Sequence, residues 1–394
     1  MIHEIYYERD ELFDVNMIIT FRIDITGRPT YDKVEQAFYK AIGINEILLT
    51  KVNIEADGRA FYSDNDESGS WIRLVDEDLK NIRQREEKKR FLIEKGEYLR
   101  VFVRENSGDT SILFMMHHLA GDGKSLLYFI EDFMTFLSGG TKEYKKIRTV
   151  ETKENIDAIS RSIVRYHNKK WNGKVFEFDD RAQSYQSYWS NKSSVIETKI
   201  IEEKELKDIL NNCHEAGIKF TAYLTATLIS EEKNKMHIGY AVDYRHDNNR
   251  SMGNQASGVS IKYKYVPSIS LMENARRIQN KLDKKLKEHE KGSYVLSFVG
   301  GINPTLRDAV NLEHVGYYHN KVSYRLAKIM GYVGKIKDYS ITNLTFADIP
   351  VKYGEYEIKN MMFVAPVVSY GKRIISVVTC NGRTVITRHE MREC

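Results

Sequence analysis

SILFMMHHLAGDGKSLL occupies residues 111–127. Ile112 to Met116 is an apolar run with β-branched and aromatic members, which reads as a buried strand, and it ends in His117 and His118. Side chains alternate along a strand, so adjacent histidines face opposite sides. One can look into a cleft while the other packs or hydrogen-bonds behind it. Leu119, Ala120 and Gly121 then form a tight connection to Asp122 and Gly123, which open an amphipathic helix. Leu126, Leu127, Ile130, Phe133, Met134 and Leu137 make its apolar side. Strand, turn and helix together present one imidazole at a sharp corner.

Gly123-Lys124-Ser125 is not the end of a P-loop, because His118 stands where that motif needs a glycine. No metal is expected: ligands must converge, two neighbouring strand histidines diverge, and the HExxH spacing is absent. A histidine pair at a strand end is often only a pair of satisfied structural residues. The spacing sets this one apart: His-His, three residues, then Asp-Gly. As HHLAGDG, residues 117–123 resemble the HHxxxDG motif of the chloramphenicol acetyltransferase-like superfamily. Its members include condensation domains of nonribosomal peptide synthetases, plant BAHD acyltransferases, and bacterial and yeast alcohol acetyltransferases.

At 394 residues, with 42% hydrophobic and 11% aromatic residues, the chain is long enough for two domains and can fill substantial cores. Sixty basic against 55 acidic residues leave a net charge of +5, far from the concentrated basic stripe of a nucleic-acid binder. Anionic small ligands are compatible with that charge. Cys213, Cys380 and Cys394 are few, odd in number and widely spaced, so neither a disulfide framework nor a zinc ribbon is indicated. No apolar run approaches the roughly 20 residues of a membrane span. The start, MIHEIYYERDELFD, lacks the basic and apolar regions of a signal peptide. A cytoplasmic monomer without an integral membrane segment is expected.

Residues 1–150 alternate strand and helix signals and form the expected first domain. Asn16–Ile25 reads as a strand and Tyr31–Gly43 as a helix. Ile47–Ile54 and Arg59–Tyr62 read as strands joined by a turn at Ala56-Asp57-Gly58. The mixed charges of Asp76–Arg90 read as a solvated helix face. Another strand enters at Glu97–Val103, where the superfamily often carries Gly-Pro-Leu and this chain has Glu97 and Tyr98 before Leu99. From 151 to 194 the pattern loosens into a polar crossover linker. Packing against the body is the expected role of its Trp171 and Trp189.

Residues 195–394, the expected second domain, repeat the outline: strand Val195–Ile201, helices Lys204–Ala216 and Thr221–Lys233, strand Met236–Val242. The next stretch, AVDYRHDNNRSMGNQAS, resembles the superfamily's Asp-x-Arg and downstream Gly-Asn-Phe through Asp243, Arg245, Gly253 and Asn254, with Gln255 in place of Phe. Helix Ser270–Lys291 has an apolar stripe and a basic face, which reads as solvated or as an attractor of coenzyme A phosphates. Within DYSITNLTFAD, Thr342 and Asn343 resemble the family's Ser-Asn strand end, with Leu344 where a glycine occurs. The plant-branch motif DFGWG is missing. Met361–Tyr370 and Ile374–Cys380 read as paired strands around Tyr370-Gly371-Lys372.

The resemblance implies an α/β fold of two chloramphenicol acetyltransferase-like domains, each a mixed sheet flanked by helices, in a V-shaped pseudo-dimer with a central tunnel. It implies an O- or N-acyltransferase taking an acyl group from a thioester to a hydroxyl or amine. The co-substrate is acyl-CoA or a phosphopantetheine-linked donor on an acyl or peptidyl carrier protein, and no bound cofactor is expected. An imidazole with a free pKa of about 6.5 accepts a proton at physiological pH. His118 is the expected general base, with His117 and Gly123 supporting the corner. Asp122 is expected to pair with Arg245, as the superfamily's Asp does with a later Arg. Thr342 or Asn343 are candidate oxyanion or substrate contacts. Cys213 and Cys380 lie outside these stretches, and no covalent nucleophile is required. A non-catalytic carrier-binding domain of the same fold is the contrasting reading.

Overall fold

The computed structural model describes residues 3–150, 156–245, 247–290, 293–334 and 336–394. Residues 151–155 of the crossover and Lys291 of the basic helix lie outside them. The central strand forms at Asp109–His117 and is buried from Thr110 onward. It runs antiparallel between Ile18–Thr26 and Leu99–Glu105, with His117 opposite Ile18 and Met116 opposite Leu99. Lys352–Tyr353 and Tyr356–Val364 extend this sheet on one side, and Trp71–Leu74 closes it on the other in parallel with Leu99–Glu105.

After the turn, helix Gly123–Leu137 folds back over the strand. The Phe114 ring meets Phe129 and Phe133 edge-on at centroid distances of 6.3 and 5.5 Å. Phe129 in turn meets Phe38 of helix Tyr31–Ile44 at 6.1 Å. Aromatic pairs of this kind contribute about 0.5–1.5 kcal/mol each beyond their buried area. The corner at His118 therefore stands on a fully packed strand and helix.

The second sheet has the order Ala256–Tyr263, Met236–Asp243, Tyr339–Phe346, Arg373–Cys380, Arg383–Glu393, Lys192–Ile201. Tyr339–Phe346 is parallel to both neighbours and the other pairs are antiparallel, so this sheet too is mixed. Helices Glu203–Glu215, Phe220–Leu228 and Leu271–His289 pack on it around their own core. A small sheet of His3–Glu4, Ala60–Asp64 and Thr50–Ile54 completes the first lobe.

The sheets correct two expectations. Met361–Tyr370 and Ile374–Cys380 are not partners: Met361 pairs with Ile23 and Val364 with Thr20 in the first sheet, whereas Ile374 and Ile375 lie in the second. The intervening stretch crosses between the lobes. It is tied down by Asn16, whose side-chain amide donates to the Val367 carbonyl at 2.7 Å, and by Asp14, which accepts from Ser369 N–H. The hairpin lies one turn later, where Asn381 and Gly382 take φ of +48° and +74° between Arg373–Cys380 and Arg383–Glu393. This matches the turn geometry that Asn-Gly favours.

The crossover is also more ordered than its polarity implies, for it holds helices Ala158–Lys170 and Phe178–Ser190. Asp157 caps the first through Ser160 N–H, and a Glu177/Asp180 capping box opens the second. Trp171 and Trp189 are buried and donate to Thr305 Oγ1 and the Val15 carbonyl. Pro304–His314 and Lys321–Met330 send Leu306, Val310 and Leu326 into the first core. The first lobe thus draws strands and helices from well beyond residue 195. Among the described residues, no helix is long and apolar enough to cross a membrane.

Candidate functional site

The two histidines part company where the strand ends. His117 N–H donates to the Tyr98 carbonyl at 2.9 Å, still within the sheet, whereas His118 N–H reaches back to Met17 at 2.8 Å and starts a short 3-10 turn. His117 is buried, with Leu119 N–H 3.2 Å from Nδ1 and the Arg181 guanidinium 3.0 Å from Nε2. The guanidinium can only donate, so Nε2 facing it accepts and has no place for an added proton. Burial, reinforced by the Arg181 cation, holds His117 well below the usual imidazole range. It is a neutral support behind the corner.

His118 keeps 17% of its side chain exposed. Its Nδ1 lies 3.2 Å from Glu11 Oε1, an ion-pair contact whose alignment falls short of a hydrogen bond. Among the described residues, Nε2 makes no hydrogen bond, so this nitrogen is free to meet a ligand. Burial alone would lower His118, but the carboxylates of Glu11 and Asp122 outweigh it and raise its pKa above 6.5.

Both carboxylate oxygens of Asp122 are engaged within the protein. Its Oδ1 caps helix Gly123–Leu137 by accepting from Ser125 N–H at 3.0 Å, and its Oδ2 accepts from Gln255 N–H at 2.9 Å. Arg245 closes on it in a two-pronged pair, Nη1 to Oδ2 at 3.0 Å and Nη2 to Oδ1 at 3.1 Å, with both side chains almost fully buried. Burial would raise the Asp122 carboxyl, and the guanidinium overrides it and holds the acid below its usual range. Arg245 belongs to the second sheet's loop and Asp122 to the first lobe, so the ion pair bolts the lobes together beside His118.

Two glycines permit the close approach. Gly253 has φ +129°, and a β-carbon there would stand 2.1 Å from the Arg148 carbonyl oxygen. At Gly123 it would stand 2.9 Å from the Phe363 ring. Ser125 Oγ adds a bond to the Gly253 carbonyl at 2.9 Å.

The strand-end candidates separate. Asn343 donates its side-chain amide to Thr221 Oγ1 at 3.0 Å and accepts from Thr345 N–H at 2.7 Å, so it serves the second lobe's own helix and turn. Past Asn343 the backbone takes a left-handed residue at Thr345, φ +54°, beside a register shift. Leu344 reaches toward Gly123, and Thr342 pairs with Ser376 in the regular part of the strand. The basic helix face is already laced with ion pairs, Arg276 and Arg277 to Glu273 and Lys285 to Glu288.

Glu11 and Arg181 carry no sequence signal. Glu11 sits in a one-turn helix, Asp10–Phe13, within a buried acidic segment. Its neighbour Glu8 is 4% exposed, and among the described residues its Oε1 has no hydrogen-bond partner. Burial chiefly, with Glu11 adding, pushes Glu8 from 4.5 up to about 8. Between those values the folded protein keeps a proton that the unfolded chain has released, so stability falls as pH rises through the window. Glu8→Gln should remove that loss. Its stability gain over the native protein should grow from pH 5 to pH 9, reaching on the order of a few kcal/mol. Parallel melting curves across that range check it, and a constant difference would refute the assignment.

These observations define a two-lobed mixed α/β protein with an accessible imidazole at a corner that both lobes build. Solved structures show the same fold. The first condensation domain of the CDA synthetase aligns with TM-score 0.64 at 12% identity over 98% of this chain and 87% of that one. Trichothecene 15-O-acetyltransferase TRI3 from Fusarium sporotrichioides aligns with TM-score 0.64 at 13% identity, covering 99% and 90%. Polyketide synthase associated protein 5 from Mycobacterium tuberculosis aligns with TM-score 0.63 at 13%, covering 98% and 90%. No family model and no curated protein matches the sequence.

Proposed function

We propose that this protein is an O- or N-acyltransferase that uses a thioester donor, with His118 as general base. The observation that carries the reading is the His118 imidazole, backed at Nδ1 by Glu11 and unbonded at Nε2, at a corner that Asp122 and Arg245 lock. Nε2 takes the proton of the acceptor hydroxyl or amine as its oxygen or nitrogen attacks the thioester carbonyl. The tetrahedral oxyanion forms, with Thr342 Oγ1 the candidate donor to it. The carbon–sulfur bond then breaks, the thiolate takes the proton from the imidazolium, and ester or amide and free thiol leave.

The likeness to condensation domains favours a second form of the reading, in which the acyl group rides on a carrier protein's phosphopantetheine arm rather than on coenzyme A. Incubating the protein with panels of acyl-CoAs and acylated carrier proteins, plus alcohol and amine acceptors, distinguishes them by mass spectrometry. Acyl product from the CoA panel is the expected outcome. Product from loaded carriers alone gives the second form. No product from either, with carrier binding retained, would overturn catalysis in favour of a binding domain.

A further inference from the structure

His118 is backed by a carboxylate that lies outside the HHLAGDG stretch and more than a hundred residues before it. Glu11 is 7% exposed and stands with Oε1 3.2 Å from Nδ1. The same oxygen accepts from Asn254 Nδ2, a residue of the second lobe. The orientation of that amide is fixed by its other end, since Asn254 Oδ1 accepts from Ala256 N–H at 3.0 Å. The loop is set by Gly253, the only residue type that its φ and its contact with Arg148 tolerate without strain.

The charge at position 11 is costly here. Glu11 Oε2 has no hydrogen-bond partner among the described residues, and burial pushes the carboxyl up. A glutamine would accept from Asn254 equally well without burying a charge. What a carboxylate adds is its action on the imidazole. It favours a proton on Nδ1, which leaves the lone pair on Nε2, the nitrogen that makes no hydrogen bond among the described residues.

We propose that Glu11 is a positioning residue for His118: its carboxylate selects the Nδ1–H form of the ring and aims Nε2 at the acceptor, while Asn254 from the other lobe holds the carboxylate in place. This rests on His118 being the general base. The other charged and titratable groups around the pair are Asp122 beyond the imidazole, His117 behind it, Asp10 and Glu8 on Glu11's own segment, and the buried phenols of Tyr62 and Tyr370 beside Glu11.

Nitrogen NMR of histidine-labelled protein, with the His118 resonances assigned by His118→Asn, reads the proton position directly. Native protein should show His118 as the Nδ1–H form, titrating above 6.5. Glu11→Gln should shift the ring toward Nε2–H and lower its titration midpoint. Turnover should fall at least about tenfold, as when an imidazole loses its orienting carboxylate, with KM for both substrates near native. The acidic limb of the rate profile should move to lower pH. Asn254→Ala, which keeps the carboxylate but frees it, should move the same observables less. If Glu11→Gln does not fold, Glu11→Asp, which keeps the charge and shortens the reach, should show the same loss of the Nδ1–H form. A folded Glu11→Gln with native tautomer and titration would overturn the proposal. Because the NMR readout needs no turnover, a protein that transfers no acyl group yet shows the tautomer shift would sink the acyltransferase reading and leave Glu11's role standing.

Discussion

Replacing His118 by Ala should lower turnover by about 10²- to 10⁴-fold, the share that general-base assistance usually supplies, in a protein that still folds. The fold should survive because this ring is partly exposed and lies outside the hydrophobic core. Its removal leaves Glu11 without a cation nearby. That carboxyl is already pushed up by burial, so it takes up a proton instead of remaining as an isolated charge. His117→Ala should behave in the opposite way. It removes the ring nitrogen that accepts from the buried Arg181 guanidinium, and a buried donor left unsatisfied costs about 1–3 kcal/mol. Steady-state rates and melting temperatures of the two variants therefore separate the roles. The native rate should also rise with pH through a value above 6.5, because only neutral His118 accepts a proton and its neighbours hold it protonated for longer. That limb should vanish in His118→Ala. Native turnover in a folded His118→Ala protein would remove His118 from the chemistry.

The corner was legible because it is local. An apolar run, two histidines, a turn and an amphipathic stripe lie within 27 consecutive residues, Ser111–Leu137, and each element follows from short-range patterning. The second lobe's contribution was legible only through the resemblance at Asp243, Arg245, Gly253 and Asn254. What escaped has physical reasons. Helix Phe178–Ser190 buries Arg181, Ser184, Tyr185, Tyr188 and Trp189, a correct helical stripe written in polar and aromatic residues, so it does not read as apolar. The pairing of the strands around residue 370 is not legible in the sequence, because alternation shows that a segment is a strand but not which sheet it joins. The Asn381-Gly382 dipeptide, eleven residues further on, carried the stronger hairpin signal. Glu11 escaped because a buried carboxylate in an acidic segment looks like a solvated one until the lobe that covers it is in place.

The largest loss of stability should follow from breaking the bolt between the lobes. Asp122→Ala and Arg245→Ala each break the buried pair, and removing one partner of such a pair costs about 3–5 kcal/mol; after Asp122→Ala the guanidinium keeps Asp243 Oδ1 at 2.9 Å, which offsets part of that cost. Asp122→Ala should be the worse of the two, since the carboxylate also caps helix Gly123–Leu137 through Ser125 and a lost cap adds roughly 1 kcal/mol. In Arg245→Ala the orphaned Asp122 keeps the Ser125 and Gln255 N–H bonds, which soften its isolation. The double variant has no buried charge left over from the pair. Its loss should therefore fall short of the sum of the singles, because either single change already breaks the same interaction. Acid has a predictable effect as well. The Asp122 pKa is held down in the folded protein, so the stability it contributes is present above the unfolded carboxyl's range and is lost as pH falls through its folded value. Denaturant unfolding of the four proteins at neutral pH measures the coupling. Additive losses would show that the two side chains do not act on one another, and Asp122 would then become available as a second acid beside His118.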